Sequence, residues 1–387
     1  MRARLAADFE RFRRGLPQDF PAHVREVYGI DLAARYLGYP LPHPIGKGSG
    51  QLSLNADQLE ADRDAGLAFV VLKTVIAQTA GGERSMAAWA LHETRMTVER
   101  RSAGPHPDWT VTWKGRGWDR SLEDYLALVR AARDLTRAGT KGMLVLPSVK
   151  YHLPRLGEAF SDEEYTYTTA ELARAWGPGE VPVEKDFSPT LAGDPLADER
   201  AQVLRWVAEV PGRIRRGARH GARVQLKLMN ARFDDDFQVE MLAAARDADG
   251  VTVFNRLFDA DRGVAYGGWE LSDRNLRVLD LARARGALRS GLSGTGNIGS
   301  GRVLLDYARR GCESVQLHTF FQLPLGEYPA SAGSRSQRAL HSLVFDPVDG
   351  LVAVMLELEA QGVLHRRSGE LHFLDLPCAS TGPSSTS

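Results

Sequence analysis

Short, continuous apolar runs alternate with longer amphipathic stretches along most of the chain. Runs such as AFVVLKT, GMLVLPS and RVQLKLM have no polar face, which is typical of strands buried on both sides of a parallel sheet. The pattern predicts strands at Pro44–Ser49, Ala68–Thr74, Gly142–Ser148, Val181–Phe187, Arg223–Met229, Gly250–Asn255, Leu288–Ser293 and Ser314–Thr319. It predicts helices between them at Ala56–Ala65, Leu122–Ala138, Glu163–Ala175, Ala197–Arg216, Phe237–Ala248, Ser272–Arg285 and Ser300–Arg310.

Eight strands that alternate with helices match the count of a (β/α)8 TIM barrel, although a doubly wound sheet has the same local pattern. Two long inserts, Val75–Ser121 and the loop after Ser148, follow carboxyl ends of strands, where barrel enzymes build their sites. We therefore expect an α/β barrel over residues 41–376 with long loops at that face. Residues 1–40 are expected to form an N-terminal helical extension, and residues 377–387 a disordered tail.

The first insert carries four tryptophans, which either form a small satellite core or wall a flat ligand. They are Trp89, Trp109, Trp113 and Trp118.

Apolar residues at the N-terminus fall at helical spacing, and they are Leu5, Phe9, Phe12 and Leu16. They predict either a helix that docks on the domain or one that lies on a membrane surface. No window approaches the ~20 apolar residues of a membrane span, so none is expected.

The net charge indicates which classes of molecule the protein is expected to bind. Lys+Arg and Asp+Glu both number 49 among 387 residues, which argues against a general nucleic-acid binder because such proteins have a basic excess. Cys312 and Cys378 are the two cysteines, too few for a disulfide framework or a four-thiolate metal site, so a cytoplasmic protein is expected. The histidines show no metal-binding spacing, and no GxSxG hydrolase motif occurs.

A glycine-rich segment, Gly294–Gly299, follows a predicted strand and opens a helix. Backbone N–H groups and the helix N-terminus suit a phosphate, and loops after the last barrel strands are usual phosphate sites. The segment also matches the GxGxxG dinucleotide fingerprint, but Glu313 begins the next strand instead of ending it. A structural turn is the third alternative.

Lys73 and Lys227 lie near the carboxyl ends of strands, within apolar runs. A buried lysine needs a partner, so each one either pairs with a core carboxylate or contacts an anionic ligand at a shared barrel mouth. Lys185 precedes the segment Asp186–Thr190 at the end of the fourth strand, and Asn255 ends the sixth.

These segments resemble the dihydroorotate dehydrogenase superfamily, FMN-dependent barrels that include a domain of dihydropyrimidine dehydrogenase. The segments HPIGKGSG, VVLKTV, VQLKLM and VTVFNR are similar to its first, second, fifth and sixth strands. SGTGNIGSGRVLLDYARRGCESVQLHTFF is similar to its pair of phosphate loops. The resemblance implies FMN contacts by Gly48, Ser49, Lys73, Lys227, Gly294, Thr295, Gly296, Asn297 and Thr319.

The resemblance also implies Ser188 as the base, Lys73 as a second catalytic residue, and Lys185, Thr190 and Asn255 as substrate contacts. Lys185 and Thr190 stand where the family has asparagines that grip orotate. This exchange, with Lys114 or Arg116 nearby in sequence, favours a more anionic substrate than dihydroorotate.

The expected function is thus an FMN-dependent oxidoreductase acting on a CH–CH or C=C bond, with the family's link to pyrimidine metabolism. It would pass electrons to an external acceptor or partner protein, as a monomer or a homodimer. A non-redox barrel enzyme that binds a substrate phosphate and a non-catalytic flavin-binding homologue remain alternatives.

Overall fold

The computed structural model describes residues 1–87, 95–101, 108–114, 117–137, 142–187, 199–231, 233–259, 264–268 and 271–378. Its strands are β1 (Ile30–Asp31), β2 (Ala34–Tyr36), β3 (Tyr39–Leu41), β4 (Ile45–Lys47), β5 (Phe69–Val71), β6 (Val75–Ile76), β7 (Arg95–Arg101), β8 (Asp108–Lys114), β9 (Leu144–Leu146), β10 (Ser148–Lys150), β11 (Val181–Asp186), β12 (Ala222–Met229), β13 (Gly250–Asn255), β14 (Leu257–Asp259), β15 (Val264–Gly268), β16 (Leu292–Gly294), β17 (Cys312–Leu317) and β18 (Leu371–His372).

The helices in the described ranges are α1 (Arg2–Arg11), α2 (Phe20–Tyr28), α3 (Ala56–Asp64), α4 (Leu122–Thr136), α5 (Asp162–Trp176), α6 (Arg200–Gly217), α7 (Asp235–Ala244), α8 (Leu271–Ala284), α9 (Gly301–Arg309), α10 (Arg335–Phe345) and α11 (Leu351–Ala360). Short 3₁₀ helices add Phe12–Arg14, Ala245–Asp247, Thr319–Gln322, Leu325–Glu327 and Phe373–Cys378.

The core of the fold is a curled, parallel sheet of ten strands in the order β6-β10-β11-β12-β13-β16-β17-β4-β5-β9. Helices follow most of these strands, so the protein has the expected α/β architecture. We call the carboxyl-terminal ends of the parallel strands the mouth and their amino-terminal ends the floor.

Each of the eight predicted strands overlaps a strand of this sheet. The second and third are each split into two pieces, β5/β6 and β9/β10, and Pro147 separates the latter two because it has no N–H for the ladder. The seventh begins at Leu292, four residues later than predicted, because Gly291 turns with a φ of 75°. Such a turn ends the loop that carries Leu288 and Arg289.

A second sheet borders the mouth and was not predicted. It is antiparallel, in the order β14-β15-β8-β7. Its strands come from the insert after β6 and from the segment after β13, and Tyr266 of β15 pairs with Thr112 of β8. The long first insert is therefore folded against a second loop of the mouth.

Two of the four tryptophan side chains lie within the described residues. Trp118 is buried, and its indole N–H donates to the Ser121 carbonyl at 2.9 Å. Trp109 packs against the main core and Trp118 belongs to it, so these two have a packing role but do not form a separate satellite core. Trp89 lies outside the described residues, as does the side chain of Trp113.

The N-terminal segment packs against the C-terminal helices α10 and α11, which the sequence pattern did not predict. Leu5 and Phe12 are buried, and Phe9 stacks on His341 of α10 with ring centroids 4.5 Å apart. The docking interpretation of this helix therefore holds. Among the described residues, no helix is long and apolar enough to cross a membrane.

The extension also contains the hairpin β2–β3, which carries Tyr36 into the interior of the curled sheet. The Tyr36 ring stacks on Phe69 of β5 at 4.2 Å, and its hydroxyl donates to Glu184 of β11 at 3.0 Å. Arg35, the residue before it, faces outward because neighbours in a strand alternate.

Candidate functional site

Four strand ends place a hydrogen-bonded row of polar side chains at the mouth. The Thr74 hydroxyl lies 2.9 Å from the Ser49 hydroxyl and 3.0 Å from that of Ser148. Thr74 donates to the Asp186 carboxylate at 3.3 Å, so Ser49 and Ser148 can both donate to Thr74. Ser49 is half-buried and the other three are buried, so this hydroxyl row runs from a buried carboxylate towards solvent.

Lys73 lies beside this row and is nearly buried, with 7% of its surface exposed. The pKa of Lys73 is lowered to about 8, mainly by burial and also by the nearby Arg256 guanidinium and Lys227, while Asp186 and Asp119 oppose the shift. The mouth therefore gathers several cations around two carboxylates. Arg256 was not singled out from the sequence, and its only signal there was its place directly after Asn255.

Lys227 projects from β12 into the interior, where a core carboxylate faces it. Its Nζ lies 3.9 Å from Oε1 of Glu184, which is fully buried. The other Glu184 oxygen accepts from Tyr36 and, at 2.5 Å, from Gln316. Burial raises the pKa of Glu184 and Lys227 lowers it, with burial the larger effect. Lys227 thus pairs with a core acid close to the mouth, and its contact with an anionic ligand stays a prediction.

Gly48 leaves space next to Lys227. A Cβ at Gly48 would lie 3.3 Å from Lys227 Nζ and 3.2 Å from Gln316 Oε1. A glycine here therefore keeps a strip of backbone at the mouth free of side chains. Such a strip is suited to a flat ligand that lies against the strand ends.

His318, at the end of β17, is a mouth residue that sequence reasoning missed. Its ring lies against Gly50, where a Cβ would overlap His318 Nε2 at 1.8 Å. Burial and the cations Arg256, Lys227 and Lys73 lower the pKa of His318 well below its usual value. The imidazole is therefore neutral at physiological pH.

Side chains of the neighbouring helices hold the glycine-rich loop after β16 in place by hydrogen bonds to its carbonyls. Tyr307 of α9 donates to the carbonyls of Thr295 and Gly296, both at 2.9 Å, and Asn275 donates to the Thr295 carbonyl at 2.8 Å. Gly296 has a φ of 106°, which favours glycine, and the loop enters α9 through the N-cap Ser300.

The structure brings most predicted cofactor contacts of this region to one small cavity of about 30 Å³. It is lined by Asn255, Thr295, Gly296, Asn297 and Thr319, together with His318, Gln316 and the β15 glycines Gly267 and Gly268. A water needs ~10–15 Å³, so this space holds one or two waters. A phosphate would fit only after β15 moves away from the loop.

Gly294 and Glu313 do not belong to this cavity. A Cβ at Gly294 would meet the Tyr307 ring at 2.7 Å, so this glycine permits the helix to pack beneath the loop. Glu313 lies at the floor, where Oε1 accepts from the Gly291 amide at 3.1 Å. It is therefore at the wrong end of its strand for a dinucleotide ribose.

Lys185 is not brought to the mouth. Residues alternate along β11, so Glu184 and Asp186 face the interior while Lys185 faces the helix layer. Its Nζ lies 4.7 Å over the Phe187 ring, and burial lowers the pKa of Lys185 to about 7 against the opposing effect of Asp186 and of Glu164 in α5. Its role as a substrate contact stays a prediction that this position does not favour.

Four further candidates have no described side chain. Ser188, Thr190 and Arg116 lie outside the described residues, and so does the side chain of Lys114.

Away from the mouth, Asp31, Glu370 and His372 form the one group in the described ranges with ligand atoms close enough for a metal, within 4.8 Å of one another. Both Glu370 oxygens accept from Arg25, at 2.7 and 2.9 Å. This group is therefore an ion-pair network around an arginine.

The chain matches no protein-family model and no curated protein sequence. The function must therefore be inferred from the residues at the mouth.

Proposed function

We propose that the curled sheet is a closed (β/α)8 barrel. The strand order supports closure, because its two ends consist of pieces of the same two segments. β5 pairs with β9 through Val70 and Val145, and β6 pairs with β10 through Val75 and Val149. Counting β5/β6 and β9/β10 as one strand each leaves eight strands, each paired with two neighbours.

We propose that the protein is an FMN-dependent oxidoreductase of the dihydroorotate dehydrogenase type, acting on a CH–CH or C=C bond. The observation that carries this proposal is the meeting of Lys73, Lys227 and the side-chain-free strip at Gly48 at one mouth, beside a glycine loop that enters a helix. FMN, when bound, supplies hydride transfer.

The residues present fit such a group in their chemistry. Thr295, Gly296, Asn297 and Thr319 suit the phosphate because they line a cavity beside a helix N-terminus. Lys73 and Lys227 suit an electron-rich ring because their ammonium groups compensate negative charge on it. The narrow space requires that the bordering sheet open, which would give the site a lid.

The chain's own groups would move the proton of the reaction. Ser188 is the expected base, but a serine needs a partner at neutral pH. Asp186 and the hydroxyl row supply a path, because a proton accepted by Asp186 can pass through Thr74 and Ser49 to solvent. Asp186 is therefore the group at the mouth that we assign to support Ser188.

The test begins with colour. Purified protein should be yellow or should become so when FMN is added, and Ser188→Ala should slow flavin reduction while it leaves the bound flavin in place. Reduction is measured anaerobically with a panel of cyclic amides, enoates and related acids. A preparation that stays flavin-free in excess FMN would refute the proposal.

The small cavity favours a second candidate, a non-redox barrel enzyme that holds a substrate phosphate at the glycine loop. It predicts binding of phosphorylated compounds without FMN. A non-catalytic homologue would instead bind FMN that no compound of the panel reduces. We place the active protein in the cytoplasm, with an external electron acceptor.

A further inference from the structure

A second cavity lies at the floor, at the opposite ends of the strands from the flavin site. It has a volume of about 380 Å³ and lies where β16 and β17 begin. Ligand pockets are usually ~300–1,000 Å³, so this cavity has the size for a small molecule. Nothing in the proposed oxidoreductase function uses it.

Cationic side chains dominate the lining of this floor cavity. Arg35, Arg283 and Arg289 contribute three guanidinium groups, and Glu313 contributes one carboxylate. That carboxylate already accepts a hydrogen bond from the Gly291 amide at 3.1 Å. The lining therefore favours a negatively charged ligand.

The three arginines differ in the contacts that they already make. Arg283 donates one hydrogen bond to the Arg309 carbonyl, which leaves its other N–H groups for a ligand. Arg289 is fixed in place, because its guanidinium donates to the backbone carbonyls of Ser290, Ala245 and Ala248. Arg35 is exposed on β2 and makes no polar contact with any other described residue. Its planar group is thus available for the paired hydrogen bonds that guanidinium forms with phosphate.

An apolar side of the cavity adjoins these cations. Leu288 and Leu374 line it together with Pro377. A ligand that combines an anionic head with an apolar body would satisfy both sides.

We propose that the floor cavity binds a small phosphate monoester, with its phosphate on Arg35 and Arg283 and its apolar part on Leu288 and Leu374. This site is separate from the mouth, and its occupancy does not depend on flavin binding.

Calorimetric titration of the full-length chain tests the site, with phenyl phosphate as the probe and inorganic phosphate as its headgroup alone. Phenyl phosphate should bind more tightly than phosphate. Arg35→Ala should weaken it roughly tenfold, because a hydrogen bond to a charged group is lost. Ser290→Glu, which adds a negative charge at the exposed edge of the cavity, should weaken it at least as much.

Two control variants locate the binding. Arg14→Ala removes another exposed arginine, and Lys73→Ala removes a cation of the mouth, so neither should change the affinity. Absence of binding, an unchanged affinity in Arg35→Ala, or a loss in Lys73→Ala would each overturn the proposal. Equal affinity for phenyl phosphate and inorganic phosphate would overturn the assigned ligand class.

Discussion

If the mouth binds FMN as proposed, the charge state of Lys73 should control the affinity. Burial, and then Arg256, lower its pKa from 10.5 to about 8. This shift corresponds to about 3 kcal/mol that opposes the charged ammonium in the ligand-free protein. A bound anion favours the charged form, so it should raise the pKa of Lys73 towards its ordinary value.

The magnitude follows from proton linkage. If FMN restores the full shift from about 8 to 10.5, Lys73 takes up a proton on binding at any pH between these values. Affinity for FMN should then be about tenfold weaker at pH 9 than at pH 7. Lys73→Met cannot gain the proton, so its affinity should be roughly three hundredfold lower at pH 7 and should lack this decline.

Quenching of FMN fluorescence during titration with protein at pH 7 and pH 9 measures both effects. Lys185→Met is the matched control, because Lys185 is also a buried lysine with a lowered pKa but faces the helix layer. It should keep the wild-type pH dependence. Equal affinity at the two pH values, or a decline that persists in Lys73→Met, would refute the reasoning.

Three further changes have defined outcomes. Asp186→Asn removes a carboxylate that raises the pKa of Lys73, so the pH at which FMN affinity begins to fall should move below 8 in the same titration. Glu184→Gln leaves the Lys227 ammonium buried without its carboxylate, so urea denaturation should show a free energy of unfolding about 3 kcal/mol lower. Adding Lys227→Met to this variant should restore most of the lost stability. If the losses of the two single variants simply add, the pairing is contradicted. Burial raises the pKa of Glu164 from 4.5 to about 7, so the unfolded chain releases this proton first and stability falls as pH rises between those values. Between pH 5 and pH 7 the free energy of unfolding of the wild type should therefore fall by about 2 kcal/mol more than that of Glu164→Gln. The control Glu163→Gln changes an exposed residue and should behave like the wild type.

The parallel strands could be predicted because each is buried on both faces. Val224 to Met229 of β12, for example, form a nearly unbroken apolar run whose polar members, Gln225 and Lys227, face the interior. A run of this kind has no alternative as a surface strand or a loop. The amphipathic helices between the runs could be predicted equally well, and α4 begins at Leu122 as predicted.

The sheet that borders the mouth could not be predicted in the same way. Its β8 and β15 pair residues more than 150 positions apart, such as Thr112 and Tyr266. The local sequence of neither segment indicates which strand it pairs with. Antiparallel pairing between distant loops depends on where the main sheet places those loops. The small cavity at the glycine loop is a direct consequence of this pairing, since Gly267 and Gly268 form one of its walls.

The lysines show how a single position in a strand decides which residues form the site. Lys73 and Lys227 reach the mouth, but Lys185 does not, although all three lie near strand ends. The register explains the difference, because Asp186 pairs with Lys227 and therefore shares its face, and a shift of one residue moves a side chain to the opposite face. If the ligand is anionic as proposed, the cations available to it at the mouth are Lys73, Lys227 and Arg256, and Asp186 is a carboxylate beside them.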